Sequence, residues 1–181
     1  MAGIARIASG TPWEPIFGYT RAVKAGGWLA VSGTTSFDEK GLIVGRNQMY
    51  VQARQAIANI ATALERGGMS LADVVRTRMF VTDMERFVEV ARAHLEAFGA
   101  NPPASTVVEI RRLVDPDMMI EIEADAYRAP AGSEADAASV KSRRPSKAKT
   151  IVKPKAATRS KPSAKKPTAK KVSGKPARKR R

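Results

Sequence analysis

Residues 120 to 127 read Ile-Glu-Ile-Glu-Ala-Asp-Ala-Tyr, apolar and acidic side chains in unbroken alternation. On a strand, where successive side chains point to opposite faces, Glu121, Glu123 and Asp125 share one face and the apolar residues pack on the other. Like charges at that spacing disfavour ionisation, so Glu121, crowded by Glu123 and Asp125, is expected to have a raised pKa. A carboxylate of that kind can accept a proton near neutrality. The same alternation also describes the solvated outer face of an antiparallel sheet, with Glu121 simply sitting in a polar cleft. Upstream, Pro103 to Leu113 forms a second alternating segment, and it can pair with the first across the turn Val114-Asp115-Pro116-Asp117.

Other residues that could carry chemistry are few. His94 is the chain's single histidine and there is no cysteine, so no ligand set for a metal and no thiolate nucleophile is available. No cofactor is implied. The stretch Gly41 to Gly45 is a loop rather than a phosphate cradle, because no Lys-Ser/Thr pair follows it into a helix. Arg111 and Arg112 lie at the end of the second alternating segment and could bind an anion only if one of them points into a cleft.

These residues must be positioned by a mixture of strands and helices. Strands are expected near Ile4 to Ala8, Thr20 to Ala25 and Trp28 to Thr34, with Gly26-Gly27 turning the last two into a hairpin. Val51, Ile57, Ile60 and Leu64 recur at helical spacing, with Gly67-Gly68 as the stop. Met84, Phe87, Val88, Ala91, Leu95 and Phe98 trace a second helix, with Asp83 as N-cap and Gly99 as its end; both apolar stripes read as core. Ser70-Leu71-Ala72-Asp73 has capping-box spacing and opens one short turn before a strand over Asp73 to Asp83.

Taken together, Ile16-Phe17-Gly18-Tyr19, Val31-Ser32-Gly33, Gln52-Ala53-Arg54-Gln55, the segment Asp73 to Asp83 and the two C-terminal segments resemble the Rid family (reactive intermediate deaminases; YjgF/UK114-like, with the older name endoribonuclease L-PSP). The match runs in order over residues 4 to 128. The resemblance implies an α+β, chorismate-mutase-like ββαβαββ fold with two helices on one face of a mixed sheet, assembled as a homotrimer with clefts between subunits. It implies that Glu121 positions a water for attack on a C=N carbon, with Tyr19, Ser32 and Gly33 lining the cleft. For Tyr19, an amphipathic aromatic capping a strand end is the other reading. Typical members carry Pro-Ala-Arg-Ser where this chain has Pro103-Ala104-Ser105-Thr106, and that arginine grips the substrate carboxylate. A hydroxyl offers one neutral donor where a guanidinium offers a bidentate fork, so the resemblance is to a subgroup with different substrates. Ser105 and Thr106 remain substrate-binding candidates, and Arg111 is freer than Arg112, which matches a family arginine, to replace the missing clamp.

Charge divides the chain into two parts. Residues 1–130 hold 14 Lys and Arg against 15 Asp and Glu, whereas residues 131–181 hold 18 against 2, so the net charge of +15 belongs to the second part. The first part is long enough for one domain and contains all the aromatic residues. The second is rich in Lys, Ala and Pro, is expected to be disordered, and repeats Lys-Pro units. Its cations include Lys153, Lys155, Lys165, Lys166, Lys170, Lys171, Arg178, Lys179, Arg180 and Arg181. It resembles the lysine-rich tails of linker histones and bacterial histone-like proteins. Dispersed charge without aromatics suits the phosphate backbone of DNA or RNA, without base readout; a solubilising appendage or attraction to any polyanion is the other reading. Neither a signal-peptide core nor a membrane-length apolar run occurs, so the expected location is cytoplasmic, with nucleoid association through the tail. The expected function is hydrolysis of an imine, an enamine or a related small reactive metabolite. The alternative is a non-catalytic trimer that binds a small ligand or associates with nucleic acid.

Overall fold

The computed structural model describes residues 3–129. Six strands form one sheet: β1 (Ile4–Ile7), β2 (Ala22–Ala25), β3 (Trp28–Thr34), β4 (Val74–Val81), β5 (Ala104–Glu109) and β6 (Ile120–Tyr127), in the spatial order β1-β2-β3-β6-β4-β5. All pairings are antiparallel except β4 with β5. Three helices accompany them: α1 (Trp13–Phe17), α2 (Met49–Arg66) and α3 (Phe87–Phe98). The architecture is therefore the expected α+β mixed sheet. The ββαβαββ order runs from β2 to β6 through α2 and α3, with β1 and α1 in front of it.

The core lies between α2, α3 and one face of the sheet. Ile60 and Leu64 of α2 and Leu29, Ile120 and Ile122 of the sheet are fully buried, and side chains of this size contribute roughly 1.5–3 kcal/mol each. Alternation along β6 is strict, with Ile120, Ile122, Ala124 and Ala126 buried and the acidic residues turned to the other face. That other face carries Trp28 packed at a tilt against Tyr127, with ring centroids 5.0 Å apart, at one end. Phe80 and Val108, which are in register, lie at the other end.

Two sequence expectations are corrected. The segments before and after residues 114–117 do not form a hairpin: β5 runs parallel to β4 at the sheet edge, and β6 inserts between β3 and β4. Alternation fixes which face a strand buries but not which neighbour it takes, and the α3 crossover places β5 parallel to β4. The stripe assigned to the core of α3 is also only partly buried. Val90, Ala93 and Phe98 are buried, whereas Phe87, Val88 and Leu95 are exposed, Leu95 by 69%. This helix is apolar on two sides, so its apolar residues alone do not identify the inward face. The α2 stripe packs inward as expected through Ile57, Ile60 and Leu64.

Local caps follow the sequence closely. Ser70 and Asp73 close a capping box around the turn Leu71–Asp73; Asp83 accepts from the Glu85 amide at 3.0 Å and so caps the short turn Met84–Arg86, whereas α3 itself starts after Arg86 without a side-chain cap. The α1 helix was not expected. It has only five residues and is tied down by Glu14, whose carboxylate accepts from the Ser9 and Gly10 amides at 2.8 and 3.0 Å. Gln52 joins α2 to two loops: its Nε2 donates to the Gly45 and Asp117 carbonyls, and its Oε1 accepts from the Met119 amide. None of the described helices is long and apolar enough to cross a membrane.

Candidate functional site

Glu121 owes its setting to an irregularity in β3. Val31 pairs with Ala124 and Thr34 with Ile122, so Ser32 and Gly33 together span the place of one residue of β6. Such a bulge bends the strand and re-aims its neighbours. The Glu121 carboxylate fills the resulting notch: a Cβ added at Gly33 would stand 1.8 Å from Glu121 Oε1. Only glycine leaves room there.

The three carboxylates of β6 differ in their partners. Arg78 of β4 reaches Glu123 at 3.4 Å and Asp125 at 3.2 Å. The Glu121 carboxylate makes no ion pair or hydrogen bond among the described residues. Burial pushes its pKa above the ordinary glutamate value, the neighbouring charge of Glu123 adds to the shift, and the nearby Arg21 opposes it. The shift has the expected direction, but burial rather than crowding is its main cause. Asp125, held by Arg78, plays no part in it.

Arg21, just ahead of β2, ties the rest of this side together. Its Nη1 donates to the Gly33 carbonyl at 2.8 Å and to Thr34 Oγ1 at 2.9 Å, and its Nη2 donates to Tyr19 Oη at 3.1 Å. The guanidinium also lies over the Tyr19 ring, 5.5 Å from its centroid. Ser32 Oγ donates to the Thr20 carbonyl at 2.7 Å. The fold therefore gathers Tyr19, Ser32, Gly33 and Glu121 around one guanidinium. Arg21 belongs to no motif in the sequence, and a lone charged residue at a strand start carries no signal of its own. The signal lay in the Gly26-Gly27 turn, which fixes the hairpin register and sets Arg21 opposite Ser32.

The other predicted residues lie elsewhere in the domain. Ser105 pairs with Thr77 on the helix-covered face, away from Glu121. Its Oγ is 2.9 Å from the Oγ1 of the fully buried Thr77, which in turn is 3.0 Å from His94 Nε2. Burial lowers the His94 pKa, favouring the neutral ring. Ser105 and His94 open into a groove of about 330 Å³ whose walls are apolar, among them Met79, Phe87, Leu95, Phe98 and Val107. Thr106 is on the Glu121 face, in register with Arg78. Arg111 is exposed beyond the end of β5 and has no hydrogen bond or ion pair among the described residues. The tail cations from Lys153 to Arg181 lie outside the described residues.

Comparison with known proteins gives a consistent match. The model of the family described as Endoribonuclease L-PSP matches residues 11–128. Uncharacterized protein SCO2049 of Streptomyces coelicolor is 34% identical over 126 residues, covering 69% of this chain and 92% of that protein. The 2-iminobutanoate/2-iminopropanoate deaminase of Salmonella typhimurium is 37% identical over 114 residues, covering 61% of this chain and 87% of that enzyme. A solved Mycobacterium tuberculosis structure, described as a member of the highly conserved YjgF/YER057c/UK114 family, has 40% identity and a TM-score of 0.64, covering 70% of this chain and 100% of the other. The matched span takes in every element from α1 to β6, and the chain belongs to the endoribonuclease L-PSP family, the Rid family of reactive intermediate deaminases.

Proposed function

We propose that the folded domain hydrolyses an imine, an enamine or a related small reactive metabolite, with Glu121 holding and activating water. The observation that carries this reading is a half-buried carboxylate with a raised pKa and no counterion bonded to it, set in a notch beside a cluster of hydrogen-bonding groups. Glu121 takes a proton from water as the water oxygen attacks the C=N carbon. That proton passes to the nitrogen and gives a carbinolamine; Glu121 then takes the hydroxyl proton and returns it to the amine nitrogen as the C–N bond breaks, so that a carbonyl compound and ammonia leave. The deaminase from Salmonella typhimurium, whose name records this type of chemistry, supports the class.

Ser105 shifts the specificity. The apolar groove around it offers a hydroxyl and a neutral histidine where the family's typical arginine grips a carboxylate, which favours substrates lacking that charge. Within one protomer the Glu121 notch and the Ser105 groove face opposite sides of the sheet, so a shared site requires a second copy. A homotrimer with clefts between subunits meets that need. It would also cover the apolar residues of the open sheet face. Residues 131–181, by their charge, bind DNA or RNA without sequence preference, in a protein that works in the cytoplasm or at the nucleoid.

The test is ammonia release from freshly generated imines with and without a carboxylate. The full chain is expected to turn over non-carboxylate imines, and Glu121→Gln to reduce kcat/KM by about 10²–10⁴-fold, the range of a general base. No turnover across the panel would favour the second reading, a non-catalytic ligand-binding trimer, for which the absent arginine is the supporting observation.

A further inference from the structure

Arg21 makes a set of contacts whose direction is fixed by its chemistry. A guanidinium has donors only, so in the 3.1 Å bond between Arg21 Nη2 and Tyr19 Oη the phenol oxygen is the acceptor. The single Tyr19 proton is then not engaged with Arg21, and among the described residues no acceptor lies within hydrogen-bonding distance of it. The tyrosine is contacted on two sides. Its ring lies against the guanidinium and packs edge-on to Phe17, with centroids 6.0 Å apart. Arg21 itself is clamped, because Nη1 bonds the Gly33 carbonyl and Thr34 Oγ1, while Thr34 Oγ1 donates onward to the Ser32 carbonyl at 2.7 Å. The same guanidinium thus grips the bulge that makes the Glu121 notch.

We infer that Arg21 is a positioning residue of the cleft: it leaves the Tyr19 O–H as an outward proton donor and places a positive charge behind the Glu121 carboxylate. This rests on the reading of the cleft as a hydrolytic site and adds a donor to it. During attack Tyr19 gives a hydrogen bond to the substrate nitrogen and keeps its own proton, while the proton taken from water by Glu121 is the one delivered to that nitrogen. Donor and acceptor are then organised by one side chain. The charged groups facing Glu121 are Arg21 from the β2 side and Glu123 on β6, and Glu123 is itself paired to Arg78 of β4. Removing the Arg21 charge therefore leaves burial and Glu123, both of which disfavour ionisation.

Three variants of the full chain test this: Arg21→Met, Arg21→Lys and Tyr19→Phe, with the Arg21→Met/Tyr19→Phe double variant. Arg21→Met and Tyr19→Phe are each expected to lower kcat/KM about tenfold or more, and the double variant no further than the worse single, as for residues acting through one bond. Losses that multiply would overturn the link to Tyr19. A ¹³C titration of the Glu121 carboxyl reads the second role without any turnover. Its midpoint is expected to move up in Arg21→Met and to stay near wild type in Arg21→Lys, which keeps the charge but not the fork. An unmoved midpoint in Arg21→Met, with the fold intact, overturns the electrostatic role. If no imine is turned over but the midpoint moves as described, the hydrolytic reading fails while the placement of charge stands.

Discussion

Glu121 and Gly33 form a pair in which each fixes the other. Glu121 keeps a raised pKa, so the folded protein holds a proton that the unfolded chain has already released once the pH exceeds the ordinary glutamate value. Stability therefore falls as pH rises from that value through the raised one. Glu121→Gln lacks this loss: it is expected to melt at a higher temperature than the parent above that window and to lose the advantage below it, as thermal melts at acidic and neutral pH would show. Gly33→Ala acts on the same carboxylate from the other side. Because the group displaced is the far end of a flexible side chain, the expected result is expulsion of Glu121 rather than unfolding. Its ¹³C titration midpoint should fall toward the ordinary value and ammonia release should drop toward that of Glu121→Gln. The alternation of residues 120–127 made the acidic face legible from sequence alone. The notch was not, since it depends on a one-residue irregularity in β3, a strand far from Glu121 in the chain; Arg21 reaches it only through the register of the β2–β3 hairpin.

At the scale of elements, the sequence specified faces better than neighbours. The helical spacing of Ile57, Ile60 and Leu64 and the capping box at Ser70 were read correctly because their signals are local. The place of β6 between β3 and β4 was not, because pairing partners are chosen by the whole sheet. In α3 the outward Phe87, Ala91 and Leu95 line the groove at Ser105 together with the buried Val90 and Phe98, while Ala93 packs inward. Gln52 shows how an element is tied to its surroundings by polar atoms that hydrophobic periodicity ignores. Gln52→Met keeps the volume and removes the bonds to Gly45, Asp117 and Met119. The Gly45 carbonyl keeps the Gln48 amide, but the Asp117 carbonyl and the Met119 amide lose their partner; each such group costs about 1–3 kcal/mol when water cannot reach it, so urea denaturation should show a loss of that size.

For the whole molecule, assembly and charge carry the predictions. Val108 lies on the open sheet face, opposite Phe80. A trimer that buries this face is expected to dissociate in Val108→Asp without loss of the monomer's circular dichroism, measurable by sedimentation velocity. Deleting residues 131–181 removes 18 basic and 2 acidic residues, leaving the remainder close to neutral. Affinity for DNA or RNA should then disappear, whereas the full chain's affinity should fall steeply with salt. Retention of nucleic acid by the truncated chain at moderate salt would place binding on the domain instead.

The position of β6 also governs how the domain reaches its native state. The strand made last is the one that stands between β3 and β4, so until residue 127 exists the sheet is two separate pieces: β1-β2-β3, and β4 with β5. Each piece then presents an unpaired strand edge, the kind of surface on which chains stick to one another. The contact that joins them spans most of the domain's length, so it closes late and slowly compared with local structure. Fragments that stop short of Ile120 are accordingly expected to aggregate rather than to form a smaller version of the fold.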